Sequence, residues 1–447
     1  MLRWSSGGAS PAQLLTLSRG GTVRTRFVLA AILLLIGCDK SAPPELSQPI
    51  VFIGIDSADW KWIDPLQEQG DMPTLDRLIR EGVRAPLKSL VPPQKSPTIW
   101  TSIATGKRPG KHGIGDFNTG ADRAQTPNLR KAATYWEILG VLGRTQAVLG
   151  WWITHPATEV NGVLVSDFLP YFAQVNREDP SAVFPHDLWS VMYRLVVRPR
   201  DVDDELLGQF VDLELIREHG DEGKALIADL RSYIAGDLTY LAIARELYEP
   251  DRFDVFTVYF RGLDMACHKY WRYFQPKRSR LEESDWRVRA CGGVISGYYR
   301  FADSLVTDVL SFVSEDSRVM IASDHGFTGH RRIGGREARG VQMHSDTGIL
   351  IMHGPGVSKG TELDSAEVKD LMPTLLVMSG VPPADDLDGR VLVDAFEPAL
   401  QSWTAELIAN PIDSYEGLVL RPGDPVEIDE AANEARLEQL RSLGYIN

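Results

Sequence analysis

Short apolar runs recur along the chain, and most of them close on a polar residue or a glycine. Ile50-Val-Phe-Ile-Gly-Ile55 is the first and ends at Asp56. Gln146 to Gly150 and Val163 to Val165 follow. Phe253-Asp-Val-Phe-Thr-Val-Tyr-Phe260 is the clearest and leads into "RGLD". Val319 to Ala322 and Gly348 to Met352 complete the set. Runs this short, rich in β-branched and aromatic residues, predict buried strands. Between them the spacing turns helical: Pro73 to Glu81, stopped by Gly82, and Ser96 to Thr105, stopped by Gly106. Strands alternating with helices predict an α/β fold, a mostly parallel sheet sandwiched by helices. Residues from about 168 to 250 break the pattern, with the aromatic and charged "DFLPYFAQVNREDP" and "DLWSVMYRL" and then a long helical stretch. They predict an inserted cap region. A C-terminal helical extension, 396–447, ends in an amphipathic helix from Glu430 to Leu443, with Leu437, Leu440 and Leu443 on one side.

The first residues stand apart from the fold. Arg24 and Arg26 precede the apolar run Phe27 to Ile36, too short to span a bilayer comfortably. It stops at Leu35-Ile-Gly-Cys38, before the polar "DKSAPPELSQP". This resembles a bacterial lipoprotein signal: 1–37 as signal peptide, Cys38 as the lipidated first mature residue and 38–48 as a tether. Asp39 resembles the inner-membrane retention signal of enteric bacteria. The expectation is a lipoprotein of the cell envelope, on the periplasmic face of the inner membrane. Cys267 and Cys291 then remain, too few for a disulfide scaffold.

Composition adds one exclusion. The 447 residues are 43% hydrophobic and 24% charged, an ordinary globular mixture, with a formal net charge of −14. Such a balance argues against a nucleic-acid polymer as partner, because neutralising phosphates needs a basic footprint. A small anion in a locally positive pocket remains compatible with it. Nothing in the sequence sets the oligomeric state.

The polar residues of interest sit just after strands: Asp56, then Asp264 and His268, then Asp324 and His325. In open α/β sheets the site forms at the carboxyl ends of the strands. Adjacent side chains on a strand face opposite ways, so Asp324 and His325 converge only if the chain turns off its strand there. Asp264 and His268, four apart, share a helix face if a helix starts there, a spacing suited to two ligands of one metal. The plainer reading of that pair is an ion pair or a helix cap. Cys267 reads as a small buried residue, since an oxygen- and imidazole-rich site needs no thiolate. His344, in "MHSDTGILIM", is an ordinary histidine by itself and a closing ligand in this company. His155, His186, His219, His330 and His353 read as structural or surface residues.

Ser96, with Pro97 after it, has the form of an N-cap. The same position puts a hydroxyl in positive potential beside free backbone N–H groups, able to hold a phosphate oxygen. A metal on that hydroxyl would lower its pKa and make it a nucleophile. Lys107, Arg108 and Lys111 form a basic cluster that either assists anion capture or solvates a loop. Six candidate ligands and one hydroxyl suffice for two metal sets, and two metals about 3.5–4 Å apart stabilise both oxygens of an in-line phosphoryl transfer.

The motifs "GIDSADW", "SPTIWTSIATGKRPGKHGI", "RGLDMACHKYW", "SDHGF" and "HSDTGILIMHGPG" together resemble the alkaline phosphatase superfamily, in its type I phosphodiesterase/nucleotide pyrophosphatase branch. The resemblance runs over about residues 49–395, through "DLMPTLLVMSGVPPADDLDGRVL". It implies an alkaline phosphatase-like catalytic domain and two divalent metal ions, with Zn²⁺ expected. One would be held by Asp56, Asp324 and His325, with the nucleophile Ser96 bridging; the other by Asp264, His268 and His344. Two departures matter. The nucleotide pyrophosphatases have a Thr before Phe-Pro as nucleophile; counting back from "HGI" gives Ser96, with Thr98 as the alternative. Their phosphate-binding Asn corresponds here to Asn118, one place late. The implied activity is hydrolysis of a small phosphoester or pyrophosphate, a diester in preference to a monoester, through phospho-Ser96. Lys95 is the one cation seen beside Ser96, and Phe168, Tyr171, Phe172, Trp189 and Tyr193 would form either an apolar wall for a second ester group or a cap core. The rivals are a phosphotransferase or phosphomonoesterase of the same superfamily, and a non-catalytic metal-binding lipoprotein. A sulfatase lacks its Cys/Ser-x-Pro-x-Arg context here, and the export signal disfavours a phosphoglycerate mutase.

Overall fold

The computed structural model describes residues 48–119, 123–174, 178–329, 332–333, 336–337, 340–419 and 430–442. The expected signal peptide, Cys38 with most of the expected tether, His330 and Leu443 lie outside them. Ile50–Ile55, buried at every position, is strand β1 at the centre of a ten-stranded sheet. It pairs in parallel with β6 (Val255–Phe260) on one side and β7 (Arg318–Ala322) on the other. Strands buried on both faces read as unbroken apolar runs, which is why these were visible in the sequence. From β6 the sheet continues through β3 (Gln146–Leu149) and β4 (Gly162–Val165), both parallel, to the antiparallel edge strand β5 (Val183–Phe184). From β7 it continues through β8 (Thr347–His353), which runs antiparallel, to β2 (Val83–Lys88). β2 also carries the short parallel strands β9 (Thr361–Glu362) and β10 (Ala366–Glu367). The mostly parallel α/β sheet expected from the sequence is the architecture found.

Helices pack in two groups. Helix α1 (Ser96–Thr105) packs with Leu371–Met378, which in turn meets Tyr135–Val141. Helix α2 (Gly220–Leu247) packs on β6 and on α3 (Gly262–Phe274), and α3 packs on α4 (Val294–Leu310). Residues 168–250 therefore run from the end of β4 through edge strand β5 to α2. Helix α5 (Glu430–Ser442) buries Leu437 and Leu440. No helix among the described residues is long and apolar enough to cross a membrane.

Candidate active site

Three central strands deliver their following residues to one place. Asp56 comes off β1, Asp264 and His268 lie on α3 just past β6, and Asp324 and His325 come off β7. The turn expected after β7 is present. The chain leaves the strand at Ser323, and Gly326–Phe327 then pairs antiparallel with His344–Ser345, His344 opposite Phe327. That ladder lays the His344 ring on His325, stacked at 3.7 Å between centroids. A two-residue strand pair thus brings in a histidine that sequence context alone left ordinary.

The side chains converge as two groups. His325 Nε2 lies 3.5 Å from Asp56 Oδ1 and 3.4 Å from Asp324 Oδ2. His268 Nε2 lies 2.9 Å from His344 Nε2, and these nitrogens are 3.4 and 3.8 Å from Asp264 Oδ1. Asp264 also lies within ligating reach of Asp56 and His325, so it stands between the groups. Its spacing with His268 is helical, since α3 spans both. The His325 tautomer follows from its neighbours: Nδ1 lies 3.0 Å from the Gly326 carbonyl oxygen, which only accepts, so the proton sits on Nδ1. The Nε2 lone pair is left facing Asp56, Asp324 and Ser96.

Electrostatics call for a cation here. Asp56, Asp264 and Asp324 are all fully buried. Burial raises the Asp56 carboxyl, and the Asp264 charge adds to it. Burial and the charges of Asp56 and Asp264 push Asp324 well above the usual carboxylate range. Burial alone would raise Asp264 too, but His268, His344 and His325 hold it low. His344 is kept neutral by burial and by the positive charge its imidazole neighbours can carry. Both Asp324 oxygens and Asp56 Oδ1 are buried without a hydrogen-bond partner. Orphaned acceptors among imidazole nitrogens are what an oxygen- and nitrogen-ligated metal would satisfy, so these residues fit divalent ions.

Ser96 joins this cluster, and not as a cap. Lys95 is the N-cap, Ser96 is the first helical residue, and no side chain caps the helix. This corrects the N-cap reading by one position and leaves the hydroxyl free to lie 3.3 Å from His325 Nε2. The helix start also offers fewer free donors than expected, because Pro97 has none and the N–H groups of Thr98 and Ile99 both bond to the Lys95 carbonyl. Thr98 Oγ1 is buried and makes no hydrogen bond.

The expected basic cluster is spent elsewhere. Lys107 binds Asp386 and Glu416 at 2.6 and 2.8 Å, Lys111 binds Asp388 at 2.7 Å, and the Arg108 backbone N–H donates to Asp388. Lys95 is paired with Asp116 at 2.6 Å. Asn118 forms an isolated bridge with Ala124. Phe168 lies under the Arg436 guanidinium with Tyr171 against it, and Trp189 packs on Tyr193, contacts of a small core. The side chain of Phe172 lies outside the described part. His219 stacks on Trp286, His186 meets the Val183 carbonyl, His353 faces Glu81 and His155 is buried near Asp179. Cys267 and Cys291 are unpaired, buried thiols.

Two neighbours went unread in the sequence. Ser57 Oγ donates to Asp264 Oδ1 at 2.6 Å and lies 3.2 Å from His325 Nδ1. The Tyr259 hydroxyl donates to Asp56 Oδ2 and accepts from Trp152 Nε1 at 2.7 Å. Gly54 makes room for that arrangement: a Cβ there would sit 2.8 Å from the Tyr259 ring and 2.9 Å from Trp100.

Residues 50–347, about two thirds of the chain, match the sequence model of the type I phosphodiesterase / nucleotide pyrophosphatase family. The chain belongs to that family. As a type I phosphodiesterase/nucleotide pyrophosphatase family member it is a phosphoester hydrolase. No curated protein matches it. Its fold is similar to that of a candidate sulfatase from Bacteroides thetaiotaomicron, at 14% identity and a TM-score of 0.52 over 80% of this chain and 75% of the other. Human ectonucleotide pyrophosphatase / phosphodiesterase 5 aligns at 11% identity and a TM-score of 0.44, over 76% of this chain and 97% of that one. Phosphonoacetate hydrolase from Sinorhizobium meliloti aligns at 18% identity and a TM-score of 0.41, over 65% and 59%.

Proposed function

We propose that this family member hydrolyses a phosphodiester or pyrophosphate through a covalent phospho-Ser96 at a site for two divalent ions, with Zn²⁺ the expected metal. The observation that carries the reading is the Ser96 hydroxyl, 3.3 Å from His325 Nε2, beside the buried carboxylates of Asp56 and Asp324, whose Oδ1 atoms and Asp324 Oδ2 find no hydrogen-bond partner among the described residues. Asp56, Asp324 and His325 would hold one ion and Asp264, His268 and His344 the other. Bound there, the ions supply positive charge that favours serine alkoxide and offsets charge on the phosphoryl group. Ser96 Oγ attacks phosphorus and the leaving group departs with its oxygen; water then attacks the phosphoserine and regenerates the hydroxyl. The Nδ1–H bond to Gly326 holds the His325 ring in place through both steps. The Tyr259 hydroxyl holds Asp56 through its Oδ2, leaving Oδ1 for the ion. Lys95 is neutralised by Asp116, so among the described residues this neighbour of Ser96 is not spare for the third oxygen of a monoester dianion, which favours a diester.

The test uses one preparation. Elemental analysis is expected to find close to two divalent ions per chain, lost at acid pH as the ligands protonate. An aryl phosphodiester should exceed the matching monoester in kcat/KM by at least about tenfold, and a chelator should abolish both. Ser96→Ala should lower kcat by about a thousandfold or more with the metals retained. Near-normal turnover by that variant would move the nucleophile to Thr98, and activity in a metal-free preparation would end the reading.

A further inference from the structure

One cation beside this site forms no ion pair among the described residues. Arg261 directly follows β6, where Ile55 pairs with Phe260, so its backbone lies next to that of Asp56. It is only 6% exposed. Among the described residues its guanidinium makes no hydrogen bond and no ion pair, and it lies over the Trp152 ring, 5.2 Å from the centroid. The carboxylate of Asp237 is within electrostatic reach of it, but the oxygens of Asp237 are taken by the N–H groups of Arg261 and Gly262 and by the Tyr298 hydroxyl. Arg436 is a second cation within electrostatic reach and adds repulsion. Although the residue is nearly buried, none of its guanidinium nitrogens is among the enclosed polar atoms that lack a partner, so its planar fork of five donors stays open to an incoming group.

Its neighbours tie it to the reacting centre. The indole N–H of Trp152 is bonded to the Tyr259 hydroxyl, which is bonded to Asp56. Tyr259 packs edge-on to Trp100 of α1, the helix that begins with Ser96. Phe117 meets the Trp152 ring at 5.3 Å and carries Lys95 over its face at 5.6 Å. Arg261, Trp152, Phe117 and Lys95 thus form a continuous wall that reaches from the end of β6 to the residue before Ser96.

We propose that Arg261 is a specificity-determining residue that grips a second anionic group of the substrate, a phosphate or a carboxylate carried by the group beyond the scissile phosphorus. The fork matches two oxygens of such a group in a bidentate bond, and the Trp152 face holds the guanidinium flat to receive it. A diester with two uncharged groups leaves Arg261 unpaired. The inference rests on the phosphodiesterase reading above.

Three p-nitrophenyl phosphodiesters test it, differing only in the second ester group: phenyl, phenyl bearing a carboxylate, and phenyl bearing a phosphate. The wild type is expected to favour at least one charged diester over the uncharged one. In Arg261→Gln the ratio of charged to uncharged kcat/KM should fall by about 30–100-fold, mainly through KM, and Arg261→Lys should recover part of it. Whichever charged group loses more is the one gripped. Equal losses on all three substrates, or a ratio that does not move, overturns the assignment, with thermal unfolding confirming that the variants are folded. If the wild type hydrolyses none of the three, the diesterase reading fails. Calorimetry with inorganic pyrophosphate then decides on Arg261 separately: weaker binding by Arg261→Gln supports it and equal binding ends it.

Discussion

Ser57 holds left-handed backbone, φ 66, a conformation that side chains other than Gly, Asn and Asp seldom adopt. The strain has a use, since the single hydroxyl touches a candidate ligand from each of the two groups, Asp264 and His325. Such contacts orient ligands and raise their basicity. Ser57→Ala is expected to weaken metal binding by about 10–100-fold. Ser57→Gly should weaken it equally while relaxing the backbone, so it should be at least as stable as the alanine variant. Competition with a metal-binding dye, beside thermal unfolding, checks both; wild-type affinity in either variant removes Ser57 from the site. The candidate ligands other than His344 were legible because each lies at the end of an apolar run or at helical spacing, while His344 became one only in their company. Ser57 was not, because a serine after an aspartate carries no pattern. Arg261 stood within "RGLD", where only the aspartate had a reason to be singled out.

At the scale of elements, α2 fixes where α3 begins. Asp237 on α2 accepts from the Arg261 and Gly262 N–H groups at 3.2 Å and from the Tyr298 hydroxyl at 2.8 Å. Gly262 is required there, as a Cβ would overlap the Tyr298 hydroxyl. Burial raises the Asp237 carboxyl to about 7, against the pull of these donors. A carboxyl raised in the folded state contributes stability that is full below its unfolded pKa of about 3.9 and is lost as pH rises through about 7. The melting temperature of the wild type should therefore carry a downward component between about pH 4 and 7 that Asp237→Asn lacks. Parallel pH profiles for the two proteins would refute it. Elements also mark where sequence reading stopped. β2 alternates buried and part-exposed positions, but Pro86 sits inside it, and a proline argues against a strand paired on both sides. β5, β9 and β10 have two residues each, too few for any period to show.

Across the whole molecule, the central strands and the ends that carry the site were legible because burial on both faces writes itself as an apolar run. The contacts of the last helix were not, because they depend on residues nearly three hundred positions away. Arg436 of α5 is 1% exposed and reaches Asp167, itself fully buried just past β4, at 3.3 Å. It also donates to the His155 carbonyl oxygen and covers the Phe168 ring. Removing one partner of a buried pair costs on the order of 3–5 kcal/mol, because the other charge is stranded. A chain ended after residue 419 should thus unfold several degrees lower than the full chain, and Asp167→Asn in the shortened chain should recover part of the loss. Equal melting temperatures for the long and short chains would show α5 to be dispensable. The pairing also bears on the order of events in the cell. A ribosome releases Arg436 long after Asp167 has emerged. That carboxylate must wait without its guanidinium until α5 has been made, so the buried pair closes late in synthesis, after the strands around it have already been formed.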